Sequence, residues 1–365
     1  MAEIKLVPRS EVDPSITWDM TLLYPSDEAF YAELENLKKE MKAYKEKYEN
    51  KLGDLEVLDE AIRSYEAIEL AVYRASHYAE LPMTVDRLNP KVVENATAFE
   101  AVSVSYAENM SFVMTEIISL DEAFLNQFVT EKRPDLAYFV EKVIRQKKHT
   151  LSKDAEQVLS NLSSLPGFYQ LYEVTKHEDM QFESFEANGK TLENSFVLYE
   201  NLHEMDPDKE VRRGAAKSFY KTLNAYKNTV ANEYISQLKK EKMMATMRGY
   251  DSVIDYLLDE QDGDRELYDR QIRMLMTDLA PHMQRYIKLL AKEHGISDMQ
   301  FMDAKINLDP DFEVDMTIEE SREYLKKALC ILGEDYKAMI DESYDKRWTD
   351  FPQNIGKSTG GFCAT

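Results

Sequence analysis

The sequence predicts a mainly α protein: an elongated multi-helix body with a small β-hairpin and a short β region near the C-terminus. Three observations carry this. Glycine and proline number only eleven each in 365 residues, too few for the many turns of an all-β fold. Apolar residues recur at spacings of three and four over long stretches, which is how a helix with one buried face reads. The clearest β signal before the C-terminus is MQFESFEANGKTLE, where Asn188-Gly189 is the pair preferred in a two-residue type I′ hairpin turn.

The elements follow in chain order. After a short extended lead, Trp18-Asp19 and Tyr24-Pro25 introduce the first helix. Ser26 is suited to cap it, since a side-chain oxygen there accepts from a free first-turn N–H, and Asp27 and Glu28 complement the positive end of the helix dipole. Phe30, Leu34, Leu37, Met41, Tyr44 and Tyr48 then fall on one stripe, and Gly53 interrupts it. A second stripe runs through Leu58, Ile62, Tyr65, Ile68, Leu70 and Tyr73. Asn89-Pro90 marks the next break, and a third helix is expected from about Lys91 to Leu120. Residues 1–120 are thus expected to form an arm of three antiparallel helices, the tyrosines packing in its core with their hydroxyls at the rim.

Residues 121–204 form a second segment. Pro134 opens a helix running to about Gln146, Ser152 caps the next with Asp154 in its first turn, and Pro166-Gly167 end it before the hairpin. Residues 205–365 are the third. One or two long helices are expected up to Gly249, and another from about Arg265 to Glu293, kinked or broken at Pro281 and closed by Gly295. FMDAKINLDPDFEVDM reads as extended. Thr317 caps a helix over 318–332, and Asp335 to Tyr344 continues as helix. The chain closes on WTDFPQNIGKSTGGFCAT, a glycine-rich run expected to be a strand whose glycines let another backbone lie close. It stops in mid-element, so the chain is expected to be the front part of a longer protein.

Charge and cysteine content exclude several function classes. The net charge is −23 and the pI about 4.8. That balance argues against general nucleic-acid binding, which needs lysine and arginine at the phosphates. A solvated acidic surface is the simpler reading, with an acidic cavity for basic substrates as the sharper one. Cys330 and Cys363 are the only cysteines; they build no disulfide framework and fit a reducing, cytoplasmic setting. No run of about eighteen apolar residues is present, so no membrane span is expected.

The residues offer little chemistry directly. None of the six histidines has another four positions on, the spacing that puts two imidazoles on one helix face. His203-Glu204 reads HEMDP and lacks its second histidine, so it is not read as a zinc site. For His149, just before a capped helix, hydrogen bonding or packing is the preferred role. Cys363 is read as a small packing residue before it is read as a thiol nucleophile. Nucleophile-elbow, phosphate-loop and Cys-x-x-Cys motifs do not occur.

Taken together, however, several phrases resemble oligoendopeptidase F, of the M3 group of zinc metallopeptidases. ITWDMTLLYPSDEAF is similar to the family's opening. His149, Leu151, Ser152 and Glu156 match a "His-x-Leu-Ser…Glu" phrase, and Asp206, Glu210, Val211 and Arg212 the start of the catalytic region. Ala245, Arg248, Gly249, Tyr250 and Ser252 match "Ala-x-x-Arg-Gly-Tyr-x-Ser". Asp303 stands at a "Tyr-Asp" phrase in which Met302 replaces the aromatic, and Trp348, Asp350, Gly356, Lys357, Gly360 or Gly361, and Phe362 match the tail. The resemblance implies a neurolysin-like M3 fold: an N-terminal helical arm or lid over 1–120, an oligopeptidase F N-terminal-type domain over 121–204, and the start of the catalytic domain over 205–365. It implies internal cleavage of short oligopeptides by zinc-activated water. The family's His-Glu-x-x-His helix follows the glycine-rich strand and is not in this sequence. The resemblance therefore implies no catalytic or metal-binding residue here, no zinc held by this chain alone, and a C-terminal catalytic half as partner. An inactive relative that binds peptides or partners is the alternative. Gly360, Gly361, Phe362 and Cys363 match the strand that pairs its backbone with substrate.

Overall fold

The computed structural model describes the chain except residues 1–6, 88, 163–166, 311, 313–315, 359, 362 and 365. Its contacts divide the chain into two compact units, residues 1–148 with 315–365, and residues 149–314. These units cut across the three segments read from the sequence, because the C-terminal stretch packs with the N-terminal helices.

In the first unit, α1 (Asp27–Tyr48) starts where expected, with Ser26 Oγ accepting from the Ala29 N–H at 3.3 Å. All six residues of its stripe are buried, Phe30, Leu37 and Met41 completely. α2 (Leu55–Val85) is capped by Asp54, and α3 (Pro90–Met110) by Asn89, with Pro90 at the first helical position, where its missing N–H costs nothing. The three helices pack against one another.

Two expectations need correction here. Leu70 and Tyr73 are 64% and 55% exposed. Leu70 lies two residues past buried Ile68 and so faces about 200° away. The inward face of α2 instead runs through Ala61, Ala75 and Ala79, small side chains at most 1% exposed that let neighbouring helices come close. The third helix also stops short of Leu120. It ends at Met110, and α4 (Phe112–Ser119) follows after Ser111. Asn109 and Thr115 donate to the Ser105 and Ser111 carbonyls on either side of the break, the local back-bonding that bends helices. α5 (Glu122–Glu131) and α6 (Ala137–Lys147) add Leu125, Phe128, Val140 and Val143 to the same core.

In the second unit, α7 (Lys153–Leu162) begins directly after Ser152, while Pro166 lies outside the described residues. α8 (Phe168–Val174) leads into a π-turn and then the hairpin of β1 (Phe185–Ala187) and β2 (Lys190–Leu192). Its turn is Asn188-Gly189, with φ of +50° and +73°, the double positive φ of a type I′ turn. α9 (Phe196–Asn201) precedes α10 (Lys209–Met247), a single helix of 39 residues. Gly249, at φ +75°, ends it, and the Tyr250 N–H closes back on the Ala245 carbonyl.

α11 (Val253–Glu260) and α12 (Arg265–Met274) follow. A π-turn over Leu275–Leu279 then leads into α13 (Ala280–Glu293). Pro281 supplies no N–H to the turn before it, and the wider turn absorbs that, as the sequence predicts. FMDAKINLDPDFEVDM does not form an extended stretch among its described residues. It makes a 3₁₀ turn at Phe301–Asp303, because the Asp303 carboxylate turns back to accept from the Gln300 N–H at 3.1 Å.

The chain then returns to the first unit with α14 (Ile318–Leu329), opened by reciprocal capping between Thr317 and Glu320, and α15 (Glu334–Asp345). The β1–β2 hairpin is the sole sheet among the described residues. No described helix is long and apolar enough to cross a membrane.

One glycine is needed for close packing. A Cβ on Gly214 of α10 would sit 2.7 Å from the buried Phe185 ring. Alanine gains about 1 kcal/mol of helix propensity, but forcing the ring aside costs about 1–3 kcal/mol. Gly214→Ala is therefore expected to destabilise the second unit by about 1 kcal/mol in urea denaturation.

Candidate functional site

The glycine-rich tail is the candidate site. Gly360, Gly361 and Cys363 are exposed, and Phe362 lies outside the described residues. Gly360 has φ +81°, a left-handed conformation that favours glycine. A Cβ on Gly360 or Gly361 would meet nothing within 4 Å, so space for an approaching backbone is present. The tail is not a strand, however: its described residues have no ladder partner, and strand structure exists only where one pairs.

A polar hub places this segment. The Asp350 carboxylate, 2% exposed, accepts from the Arg9 guanidinium and from Lys357 Nζ at 2.7 Å. Lys357 also donates to the Asp350 and Pro352 carbonyls. Arg9 NH1 donates to Asn354 Oδ1 at 3.1 Å, and Asn354 Nδ2 donates to the Val85 carbonyl at the end of α2. Backbone bonds continue the attachment: Phe351 N to Ile16 O, Ile355 N to Val7 O, and Ser358 N to Thr84 O at 2.7 Å. Burial pushes the Asp350 carboxyl up, but the hydrogen bonds and charges of Arg9 and Lys357 outweigh it and hold it below the usual carboxylate range.

Two pairs of the other matched phrases meet in the second unit. His149 Nδ1 lies 2.7 Å from the Arg248 carbonyl, and its ring stacks on Tyr250 with centroids 3.7 Å apart. Arg248 forks onto both Glu156 oxygens at 2.8 and 2.9 Å, while Glu156 Oε1 also accepts from the Leu151 N–H. Tyr250 donates to Asp259 at 2.7 Å. His149 thus has the hydrogen-bonding and packing role preferred from the sequence, as part of a lock between α7 and the end of α10.

The second lock is deeper. Arg212 and Asp303 are both fully buried. Arg212 Nε and NH2 donate to Asp303 Oδ1 at 3.2 and 3.0 Å, and Arg213 NH2 to Oδ2 at 2.7 Å. Arg212 NH1 donates to the Asp206 and Pro207 carbonyls. Burial again opposes ionisation of Asp303, and the donors from Arg213, Gln300 and Arg212 hold its carboxyl low.

His203 and Glu204 are also buried and occupied. His203 Nε2 is 2.9 Å from the Glu193 carbonyl with its ring edge-on to Phe185, and Glu204 accepts from Lys305 at 2.6 Å. No group of three or more His, Cys, Asp or Glu that could hold a metal ion occurs among the described residues. The zinc implied by the resemblance therefore does not fit the donors described here.

The Glu156–Arg248 lock makes a pH prediction. The arginine hydrogen bonds hold the Glu156 carboxyl below its ordinary value against a smaller burial penalty. A depressed folded pKa means that the stabilisation is present above the unfolded value of about 4.3 and is lost as pH falls through the folded one. Glu156→Gln is thus expected to lower stability at neutral pH and to flatten the acid limb of a stability–pH curve, measured by urea denaturation.

Some site residues were not visible in the sequence. Arg9, Asn354 and Arg213 belong to no motif, and Arg9 lies 341 residues from Asp350.

Residues 116–182 match the family model described as Oligopeptidase F, and residues 202–365 that of Peptidase family M3. Oligopeptidase PepF of Bacillus subtilis is 29% identical over 99% of this chain and 55% of its own length. The oligoendopeptidase F homolog of Borreliella burgdorferi is 25% identical over 98% of the chain and 60% of its own. Among solved structures, a protein from Chlamydophila abortus superposes with a TM-score of 0.72 at 21% identity, over 98% of this chain and 60% of that one. Oligoendopeptidase-F from Enterococcus faecium gives 0.66 at 22%, over 87% and 61%. The chain belongs to peptidase family M3. Its matched relatives include oligopeptidase PepF and oligoendopeptidase F homologs, and it spans between 55% and 60% of the length of these.

Proposed function

We propose that this chain is the substrate-side portion of a cytoplasmic oligoendopeptidase F-type zinc peptidase, one that hydrolyses internal bonds of short oligopeptides. The observation that carries the reading is the match to Oligopeptidase PepF over 99% of the chain. Within it, the chain supplies helical walls and the segment Gly360, Gly361, Phe362 and Cys363, whose backbone would pair with an extended peptide. The zinc-dependent step belongs to residues outside those described, so no acid, base or metal ligand is assigned here.

A quenched fluorogenic oligopeptide tests the reading. The chain is mixed with a separately produced polypeptide spanning the part of Oligopeptidase PepF of Bacillus subtilis that this chain does not match. Chelator-sensitive cleavage by the mixture, and by neither part alone, is expected. No gain on mixing counts against it.

A further inference from the structure

We propose that Asp350 is a positioning residue: with Arg9, Asn354 and Lys357 it fixes where the open segment Gly360–Cys363 leaves the helical unit. The proposal rests on the peptide-binding reading of that segment for its purpose, but not for its geometry.

The geometry is that of a hub. Asp350 is 2% exposed yet charged, and it joins a cation from the chain's first ten residues to one seven residues further on. The Trp18 N–H lies 3.4 Å from the same carboxylate. Asn354 ties this hub to the end of α2, and the Ser358 N–H bonds to the Thr84 carbonyl two residues before Gly360 turns into the left-handed region. Among the described residues, these tethers all precede Gly360.

The chemistry suits positioning better than bulk stability. A buried ion pair costs desolvation that an apolar contact of the same size does not, whereas its directional bonds select one arrangement. Arg9 and Lys357 keep 18% and 14% of their side chains in contact with water, so the hub sits at the surface where the tail emerges.

The test uses the 365-residue chain with Cys330→Ser, leaving Cys363 as the single thiol for a nitroxide label. With Asp350 intact, the spin-label spectrum should show restricted motion. Asp350→Asn should speed label motion severalfold at unchanged far-ultraviolet circular dichroism. Lys357→Met should give a smaller increase, and Lys357→Arg should retain most of the restriction. Lowering the pH of the parent chain should reproduce the mobile spectrum. If Asp350→Asn does not fold, Lys357→Met and Arg9→Met carry the test alone. Unchanged label motion in the folded variants overturns the proposal. A fluorescein-labelled unstructured oligopeptide read by anisotropy separates the two readings. Faster motion with weaker peptide binding supports both. Faster motion without any peptide binding in parent or variant supports positioning, and it is then the peptide-binding reading that fails.

Discussion

Asp303→Asn is expected to destabilise the unit of residues 149–314 by about 3–5 kcal/mol, the usual cost of breaking a buried ion pair by removing one partner. Among the described residues Asp303 carries the only carboxylate on Arg212, and their side chains are 0% and 1% exposed. Asparagine keeps the shape but offers one acceptor oxygen in place of two and no charge, so the Arg212 guanidinium remains buried with only carbonyl partners. Asp303 also holds Arg213 and, through the Gln300 N–H, the 3₁₀ turn. Urea denaturation followed by circular dichroism measures the loss. Replacing Asp298, half-exposed and paired with Lys209 and Arg213, should cost far less, because water screens an exposed ion pair. That contrast distinguishes burial from mere ion pairing.

The second large effect is in the other unit. Phe30→Ala should cost about 3–5 kcal/mol, because a fully buried aromatic leaves a cavity that its surroundings only partly fill. Its ring packs on Tyr24, Tyr31 and Tyr78, with centroids 4.8 to 5.7 Å away. Leu70→Ala, on the exposed face of α2, should change stability by no more than about 0.5 kcal/mol. Equal effects at the two positions would mean that the inward faces of α1 and α2 are wrongly assigned.

These two residues also show what the sequence reveals and what it hides. The α1 stripe was legible because cap, periodicity and burial are all local and agree. The hairpin was legible because Asn188-Gly189 encodes its own turn. Leu70 misled because a long helix carries apolar residues on its outer face as well, and only the partner helices decide which face is covered. The 301–316 stretch misled for the converse reason. The turn at its start is made by the Gln300 N–H donating to Asp303, and Asp303 is held there by two arginines some ninety residues earlier, which no local pattern announces. The tail combines both cases. Its glycines and their open space were readable, but the strand was not formed, since strand structure depends on a pairing partner. The resemblance identified which residues matter in the phrases around His149, Arg212 and Arg248. Their packing shows one reason: these side chains hold helices and turns together.

The central proposal is that the family phrases in this chain are structural locks, with hydrolysis carried out by residues outside those described. The direct test is zinc content together with fluorogenic oligopeptide cleavage by the purified 365-residue chain, with and without chelator. The account predicts no tightly held zinc and no chelator-sensitive cleavage. One zinc per chain with cleavage abolished by chelator would contradict it.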